Sequence, residues 1–256
     1  MAQWFETLFD DEFAAIWFEP RVGEATDREA AAIVKMMNAG PGARILDVPC
    51  GIGRHCIALA QLGHRCVGVD LTEGYVETAR RAAQDSDVTS KCSFIVGDMR
   101  QLPGLGIADF AEGFELALSF FSSFGYFADE ADDLTVLRGY YEALKPGGAV
   151  VIDTQCKETV LAKPNPCFAY RSGKTLVVEE REYDPLTDRL QSQWTLVRDD
   201  TVVRRASMNI RLYSVREWVQ MLGDTGFGDV ETLDGFPGGP FRVAVSGRLG
   251  LVARKQ

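Results

Sequence analysis

The chain has 256 residues, a formal net charge of −10 and a hydrophobic content of 46%, which is ample for one large packed domain. An acidic chain lacks the clustered Lys and Arg that phosphate backbones require, so we expect no nucleic-acid partner. No apolar run reaches the roughly 18 to 20 residues of a membrane span, and the N-terminal stretch MAQWFETLFDDEF is too acidic for a signal peptide. We therefore expect a cytoplasmic protein with no membrane partner.

Residues 1–25 are expected to form a cap helix ahead of the main domain. Aromatic residues such as Trp4, Phe9 and Phe13 belong to an i, i+4 pattern that predicts an amphipathic helix. Two interpretations stay open: a helix that only packs on the sheet, or a cap that folds over a bound ligand. Capping boxes at Thr26-x-x-Glu29 and at Ser214-x-x-Glu217 predict that further helices start there.

The main domain opens with a strand, a glycine loop, a helix and a second strand. Arg44 to Val48 is a short apolar run typical of a buried parallel strand, and Gly51 and Gly53 follow it with the freedom of a tight turn. The helix ends near Gly63, and the second strand ends on Asp70. Such a βαβ unit indicates a nucleoside site, in which amides at the helix N-terminus face the ligand and the carboxylate accepts ribose hydroxyls.

Two residues narrow the choice of nucleoside. Cys56 stands where the dinucleotide fingerprint needs a third glycine, and Asp47 would repel a pyrophosphate but suits a ligand with an ammonium and a sulfonium group. The stretch DVPCGIGRH, with VDL after it, resembles the first two motifs of class I S-adenosylmethionine-dependent methyltransferases. The resemblance implies an α/β, Rossmann-like, seven-stranded and mostly parallel sheet with helices on both faces. It also implies S-adenosylmethionine as the cofactor and S-adenosylhomocysteine as its product.

Later segments follow the order of the same family. Gly97 to Arg100 resembles the third signature, in which Asp98 would accept from the adenine amino group while Met99 packs on the ring. The fourth strand, Phe114 to Phe120, runs into the aromatic stretch FSSFGYF, which we interpret as a pocket wall, with a core-covering loop as the alternative. A helix over 130–144, the sequence KPGG and a fifth strand over 149–153 come next.

The alternation of strands and helices then stops. Three β segments, 174–183, 189–198 and 202–213, predict an antiparallel meander within residues 169–213, inserted into a core formed by 26–168 and 214–256. The meander resembles the inserted lid of small-molecule methyltransferases, including amino-sugar and glycine N-methyltransferases. A dimer contact is the alternative role.

These patterns give a set of candidate site residues. The candidate cofactor-binding residues are Asp47, Pro49, Gly51, Gly53, Asp70, Leu71, Asp98, Met99, Ser119 and Phe120. The candidate substrate-binding residues are Trp4, Phe121, Phe124, Tyr126, Arg211 and Tyr213, and the candidate catalytic bases are His55, Tyr126, Tyr213 and Glu180. A base is not required, because well-oriented reactants gain about 7 to 11 kcal/mol from alignment alone.

Neither a metal nor a disulfide is expected. The adjacent acids Asp132–Asp133 and Asp199–Asp200 lack a third ligand that the sequence can place, and the six cysteines contain no C-x-x-C pair, so buried, reduced thiols are predicted.

The expected function is methyl transfer from S-adenosylmethionine to a small-molecule acceptor, through N, O or C, by in-line displacement. The sequence after the fourth strand lacks the (D/N)-P-P-(F/Y) of nucleic-acid and protein-amide N-methyltransferases, which disfavours those acceptors. A non-catalytic S-adenosylmethionine-binding protein and an NAD-dependent Rossmann oxidoreductase stay open as alternatives, as does the choice between a monomer and a homodimer.

Overall fold

The computed structural model describes residues 3–108, 110–243 and 245–256. The helices are α1 Trp4–Leu8, α2 Asp11–Trp17, α3 Glu24–Met37, α4 Arg54–Gln61, α5 Glu73–Asp85, α6 Glu130–Ala143, α7 Lys157–Ala162 and α8 Val215–Thr225. The strands are β1 Arg44–Asp47, β2 Arg65–Asp70, β3 Cys92–Val96, β4 Phe114–Ser119, β5 Leu144–Thr154, β6 Cys167–Ser172, β7 Thr175–Asp184, β8 Arg189–Arg198, β9 Thr201–Arg211, β10 Phe227–Asp234 and β11 Leu249–Lys255.

The larger sheet has seven strands in the order β10-β11-β5-β4-β1-β2-β3. Strands β1 to β5 run parallel, and β11 runs antiparallel to both of its neighbours. The strand order reverses between β1 and β4, and in open sheets of this kind ligands bind in the crevice beyond the carboxyl ends at that point. The α/β, Rossmann-like fold predicted from the sequence is confirmed.

Helices cover both faces of the larger sheet because its central strands are apolar on both sides. One layer, with α3, α4 and α5, buries Ile33, Leu59 and Val76 against the sheet. The other layer, with α6 and α8, buries Leu137 and Trp218. Strands buried on both faces read as continuous apolar runs, which is why β1, β2 and β4 were recognisable in the sequence.

The smaller sheet is the expected antiparallel meander, in the order β6-β7-β8-β9. Its first strand, β6, was not predicted. The sequence of β6, CFAYRS, opens with four apolar residues in a row, so this edge strand lacks the alternation of apolar and polar residues that identifies a strand. The inner face of the sheet buries Val177, Trp194 and Leu196 against α2.

The N-terminal segment differs from the single helix that was expected. It forms two short helices, because the Asp10 carboxylate accepts a hydrogen bond from the Phe13 amide at 2.9 Å and so starts α2 afresh. The capping box predicted at Thr26 is wrong. Helix α3 begins at Glu24, and the Thr26 hydroxyl donates to the Arg21 carbonyl at 2.6 Å. The box at Ser214 and Glu217 forms as predicted and starts α8.

Five of the six cysteines are buried and free, and Cys167, on the edge strand β6, is free and exposed, contrary to the expectation for all six. Within the described ranges, no helix is both long enough and apolar enough to cross a membrane.

Candidate cofactor and acceptor site

A cavity lies beyond the carboxyl ends of β1, β2 and β4, at the reversal of strand order. Helix α2 and the inner face of the meander cover it from the other side. The cofactor-side candidates that line it are Pro49, Gly51, Asp70, Leu71, Asp98, Met99 and Phe120. The opposite wall is strongly aromatic, with Phe9, Phe13, Trp17, Phe121, Tyr126 and Trp194. The fold therefore brings the glycine loop, the N-terminal helices and the meander to one space.

The glycine loop orients Asp70. The Gly51 amide donates to Asp70 Oδ2 at 2.8 Å, and the Thr72 amide donates to Asp70 Oδ1 at 2.9 Å. Burial raises the pKa of Asp70, and the amide hydrogen bonds partly oppose that change. These two bonds fix the carboxylate at the mouth of the loop, in a position suited to a pair of ligand hydroxyl groups.

Gly53 follows Gly51 in a left-handed conformation and packs tightly behind the loop. Its φ is +77°, and a Cβ at this position would lie 2.7 Å from Ala79 Cβ and 2.8 Å from Phe94 Cε1. Only glycine fits, because a side chain would have to displace both the buried helix α5 and the buried strand β3. Gly53 thus shapes the loop and does not itself line the cavity.

Asp47 and Ser119, two further cofactor candidates, lie behind the cavity wall. Asp47 is 1% exposed, and its Oδ1 has no hydrogen-bond partner among the described residues. Burial raises the pKa of Asp47 to about 7, with the positive charge of Arg54 acting in the opposite direction. A cationic group bound in the adjacent cavity would favour the ionised form of this carboxyl.

The loop after β4 has an unusual backbone. Phe121 and Ser122 both adopt left-handed conformations, with φ of 66° and 60°, which side-chain-bearing residues rarely take. Three contacts hold them: the Ser122 amide donates to the Asp153 carbonyl at 3.0 Å, Arg248 donates to the Ser122 hydroxyl at 3.1 Å, and the Arg21 guanidinium lies 4.7 Å from the centre of the Phe121 ring. Left-handed residues held in this way concentrate at ligand sites, and here they turn the Phe121 ring into the cavity wall.

His55 lines the cavity, but one of its two ring nitrogens, Nε2, is already bound to another side chain. Nε2 lies 2.9 Å from Glu29 Oε2, and Arg54 binds the same oxygen at 2.5 Å. Burial lowers the pKa of His55 to about 4, although the Glu29 contact works against this, so the imidazole is neutral near pH 7. Burial alone would raise the pKa of Glu29, but the hydrogen bonds from His55 and Arg54 bring it down to about 2. His55 thus forms part of a buried polar network behind the loop.

The structure does not bring four of the expected acceptor-side residues to the cavity. The Tyr213 hydroxyl donates to Asp133 Oδ2 at 2.7 Å, and the ring packs beside Phe124, which itself contacts Trp218. Arg211 pairs with Glu130 at 2.7 Å. These three side chains join the meander to α6 and α8. Trp4 packs against the Tyr126 ring, 4.8 Å away, without lining the cavity. Tyr126 does line it.

The meander instead contributes residues that the sequence did not reveal. Glu180, a candidate base, is exposed, whereas its neighbour Glu179 is 4% exposed and faces the cavity together with Arg181. Arg248 and Gln155 also line the cavity, and Arg248 binds Asp153 Oδ2 at 2.6 Å. The pleat of a strand sends alternate residues to opposite faces, so the acid of β7 that faces the cavity is Glu179, one residue before the candidate base Glu180.

No group of three or more His, Cys, Asp or Glu side chains that could hold a metal ion occurs in residues 3–108, 110–243 and 245–256.

Comparison with known proteins matches part of the chain to a described domain. Residues 45–148 match the family model described as "Methyltransferase domain". The ubiquinone biosynthesis O-methyltransferase of Ruegeria pomeroyi is 32% identical over 113 residues, which are 44% of this chain and 41% of that protein. The chain spans about half or less of the length of the first curated relatives it matches, from 34% to 56%.

Solved structures match over nearly the whole chain. The CcbJ methyltransferase from Streptomyces caelestis superposes with a TM-score of 0.77 at 20% identity, covering 90% of each chain. CalS10, an amino pentose methyltransferase from Micromonospora echinaspora solved with S-adenosylmethionine bound, gives a TM-score of 0.67 at 19% identity, covering 91% of this chain and 93% of that one. At these identities the similarity establishes the fold.

Residues 45–148 therefore carry a methyltransferase domain, in agreement with the resemblance to class I S-adenosylmethionine-dependent methyltransferases that the sequence showed. The cofactor of this family is S-adenosylmethionine, and the described residues around the glycine loop fit it: Asp70 offers a fixed carboxylate to hydroxyl groups, and the unpartnered Oδ1 of Asp47 lies behind the same loop.

Proposed function

We propose that this protein transfers the methyl group of S-adenosylmethionine to a small-molecule acceptor enclosed between the glycine loop and the meander. The observation that carries the proposal is one cavity that has the cofactor-binding candidates on one wall and six aromatic side chains on the other. Enclosed, mostly apolar pockets with a few polar groups suit small molecules, whereas a macromolecular substrate needs an open surface.

In this proposal the cofactor contacts are made by Pro49, Gly51, Asp70, Leu71, Asp98, Met99 and Phe120, all of which line the cavity. Asp70 holds the ribose hydroxyls and Met99 packs on the adenine. Asp47 acts from behind the loop, through its charge on the cationic end of the cofactor. The cap over the acceptor is formed by α1 and α2, with the inserted meander as the lid.

The aromatic wall orients the acceptor and excludes water from it. When bound, S-adenosylmethionine would supply a methyl group on a sulfonium. The cavity residues would align an acceptor lone pair or carbanion with that methyl carbon, so that the new bond would form as the carbon–sulfur pair stayed on sulfur, and the acceptor's displaced proton would leave to solvent. The positive charge on sulfur would be lost in this step. Exclusion of water from the surrounding space would help to hold the two reactants in a fixed alignment. His55 is left out of the chemistry because Nε2 is bound to Glu29 and a pKa of about 4 makes the imidazole a weak base, and Tyr213 is left out because its hydroxyl is bound to Asp133 away from the cavity.

Replacement of Asp70 tests the cofactor half of the proposal. Asp70→Ala removes two charge-assisted hydrogen bonds to the ribose, each worth about 1.5 to 3 kcal/mol, so the affinity for S-adenosylmethionine measured by calorimetry should fall at least about 100-fold. Asp85→Ala, at the far end of α5, is the matched control and should leave the affinity unchanged. Unchanged affinity in the Asp70 variant would show that the cofactor is not bound here.

Release of S-adenosylhomocysteine in the presence of a metabolite library tests the activity itself. We expect turnover with at least one small molecule and none with tRNA or a folded protein substrate. Tight cofactor binding without any turnover would favour the non-catalytic alternative, and preference for NAD over S-adenosylmethionine would favour an oxidoreductase.

A further inference from the structure

A buried carboxylate on α6 joins the loop after β4 to the end of the meander. The Gly125 amide donates to Asp133 Oδ1 at 3.3 Å, and the Tyr213 hydroxyl donates to Asp133 Oδ2 at 2.7 Å. Asp133 is 1% exposed, so both hydrogen bonds are made away from solvent. We call Gly125, Asp133 and Tyr213 the clasp.

The meander holds the same part of the loop from the other side. The Arg211 amide donates to the Gly125 carbonyl at 2.7 Å, and the Arg189 guanidinium on β8 donates to the Phe127 carbonyl. Gly125 has a φ of +80°, and a Cβ at this position would collide with the Arg211 carbonyl oxygen, so only glycine fits here. The middle of the loop is therefore enclosed between the meander backbone and the Asp133 carboxylate.

Both of the segments that the clasp joins carry parts of the cavity wall. In the loop, Phe121 and Tyr126 lie on either side of Gly125 in sequence, and both line the cavity. On β9, Met208 and Ile210 line it a few residues before Tyr213. The three clasp residues do not line the cavity themselves. Asp133 can therefore act on a bound acceptor only by fixing where these walls lie.

A carboxylate suits the clasp because two donors point at it. Ionised aspartate offers two acceptor oxygens and no donor, whereas asparagine of nearly the same shape offers one acceptor oxygen and two N–H donors. An amide at residue 133 would therefore leave either the Gly125 amide or the Tyr213 hydroxyl facing another donor. A protonated carboxyl has the same defect, because one of its oxygens carries a hydrogen.

The charged groups around Asp133 set the pH at which this defect appears. Burial raises the pKa of Asp133 to about 6, although its two hydrogen bonds and the positive charges of Arg189 on β8 and Arg211 on β9 oppose that change. Glu130, on the same helix as Asp133, pairs with Arg211 at 2.7 Å. The clasp is therefore fully formed above about pH 7 and loses one of its two acceptors as the pH falls through about 6.

We propose that Asp133 is a positioning residue for methyl transfer, which through the clasp fixes the loop after β4 against the meander and so holds the aromatic wall in place around the acceptor. This inference rests on the proposed function, because it concerns the same cavity. Asp133 touches neither reactant and is not a catalytic residue. Since well-oriented reactants gain much of their rate from alignment, a loosened wall should lower kcat more than it raises KM.

The pH dependence of Asp133→Asn tests the proposal with an acceptor found in the metabolite library. At about pH 8 kcat should fall at least about tenfold in the variant, because misplacement of reactants by about 1 Å costs up to about 100-fold. The ratio of wild-type to variant kcat should approach one near pH 5, where the wild-type carboxyl is itself protonated, and the ratio cancels any ionisation of the acceptor. A ratio that is constant between these pH values, or equal kcat at pH 8, would overturn the proposal.

Hydrogen exchange measured by mass spectrometry tests the clasp without any acceptor. In Asp133→Asn the amides of residues 120–127 should exchange at least about fivefold faster than in the wild type, while those of β1 and β4 keep their rates. Phe227→Leu is the matched control. Phe227 is also buried, but it packs against Tyr141 away from the clasp, so its replacement weakens the fold without loosening the loop. Unchanged loop exchange in Asp133→Asn, or equal increases in the two variants, contradicts the proposal.

Tyr213→Phe is a milder variant that keeps the aromatic ring and the Asp133 carboxylate and removes one of the two donors. It should also speed exchange in residues 120–127, by less than Asp133→Asn does. The effects of the two substitutions should not add in the double variant, because both break the same hydrogen bond. Additive effects would mean that Asp133 and Tyr213 act independently, and the clasp would be wrong.

Failure of this inference is distinguishable from failure of the proposed function. Affinity for S-adenosylhomocysteine should stay within about twofold in the clasp variants, because the glycine loop and Asp70 lie outside the clasp. If a metabolite is methylated equally fast by the wild type and by Asp133→Asn, the proposed function stands and the positioning role is wrong. If no metabolite is methylated but loop exchange rises only in the clasp variants, the clasp stands and the proposed function is wrong.

Discussion

At the glycine loop between β1 and α4 a ligand would meet backbone, whereas at the meander it would meet side chains. The loop region is built from short apolar strands and two left-handed glycines, and its one ligand-facing carboxylate, Asp70, is held by backbone amides. The meander face is built from alternating side chains of three strands, and its carboxylate, Glu179, is held by another side chain. We therefore expect the loop region to tolerate few changes of sequence and the meander face to tolerate more.

This difference has a consequence for how each wall can change. The shape of the glycine loop is set by its backbone conformation, and glycine is the residue that permits this conformation. The strands of the meander stay paired when an inward-facing residue changes, because the backbone hydrogen bonds between strands do not depend on the side chain. If the proposed function holds, we expect changes on the meander to alter acceptor choice without disturbing the proposed cofactor wall.

The largest effect in the loop region should come from glycine replacement. Gly53→Ala combines a left-handed alanine, at about 1–2 kcal/mol, with overpacking against Ala79 and Phe94, at about 1–3 kcal/mol, so the free energy of unfolding should fall by about 2–5 kcal/mol. Urea unfolding measures it.

Gly42→Ala is the control for that experiment. Gly42 has a similar φ of +72°, but nothing lies within 4 Å of the position that its Cβ would take. This variant should lose only the conformational contribution, about 1–2 kcal/mol. Equal losses in the two variants would mean that the loop is not held by close packing, and the contrast with the meander would disappear.

A pH-dependent effect of intermediate size should come from Asp47. Its folded pKa of about 7 lies above the value of about 3.9 in unfolded chains, so the native state binds the extra proton and Asp47 contributes less stability as the pH rises between these values. His55 acts in the opposite direction, since its pKa of about 4 makes the native state lose stability as the pH falls from about 6.5 to 4.

The variant Asp47→Asn isolates the first contribution. Subtracting the wild-type free energy of unfolding from that of the variant cancels His55, and the difference should shift by roughly 2–3 kcal/mol in favour of the variant between pH 5 and pH 8. Parallel stability curves for the two proteins would show that Asp47 titrates normally and carries no unusual charge behind the loop.

The contrast between the glycine loop and the meander also explains which residues could be predicted from the sequence. The strands β1, β2 and β4, the glycine loop and Asp70 were predictable because spacing and apolar runs fix a βαβ unit locally. Glu179, Arg181, Trp194 and Arg248 were not, because which face of a strand points inward depends on pairing with distant residues. Phe124 and Tyr213 were misplaced for a related reason: aromatic residues suit a pocket wall and a core contact equally well, and only the packing against Trp218 distinguishes the two.

The smallest effect should come from the ion pairs between the N-terminal helices and the meander. Glu12 on α2 pairs with Arg198 on β8 and with Arg204 on β9, and these side chains are part-exposed. A double-mutant cycle with Glu12→Gln and Arg198→Gln should give a coupling energy of about 0.2–1 kcal/mol at 0.1 M salt, and less at 1 M salt, because solvent and salt screen exposed charges.

Trp17→Ala, which removes the ring packed on Phe13 and Trp194, should instead lower the free energy of unfolding by about 3–5 kcal/mol. If these values hold, apolar contact keeps the cap on the cavity, while the charges mainly select its position. A Glu12–Arg198 coupling energy above about 2 kcal/mol that is insensitive to salt would reverse this order and show that ion pairs hold the cap on the cavity.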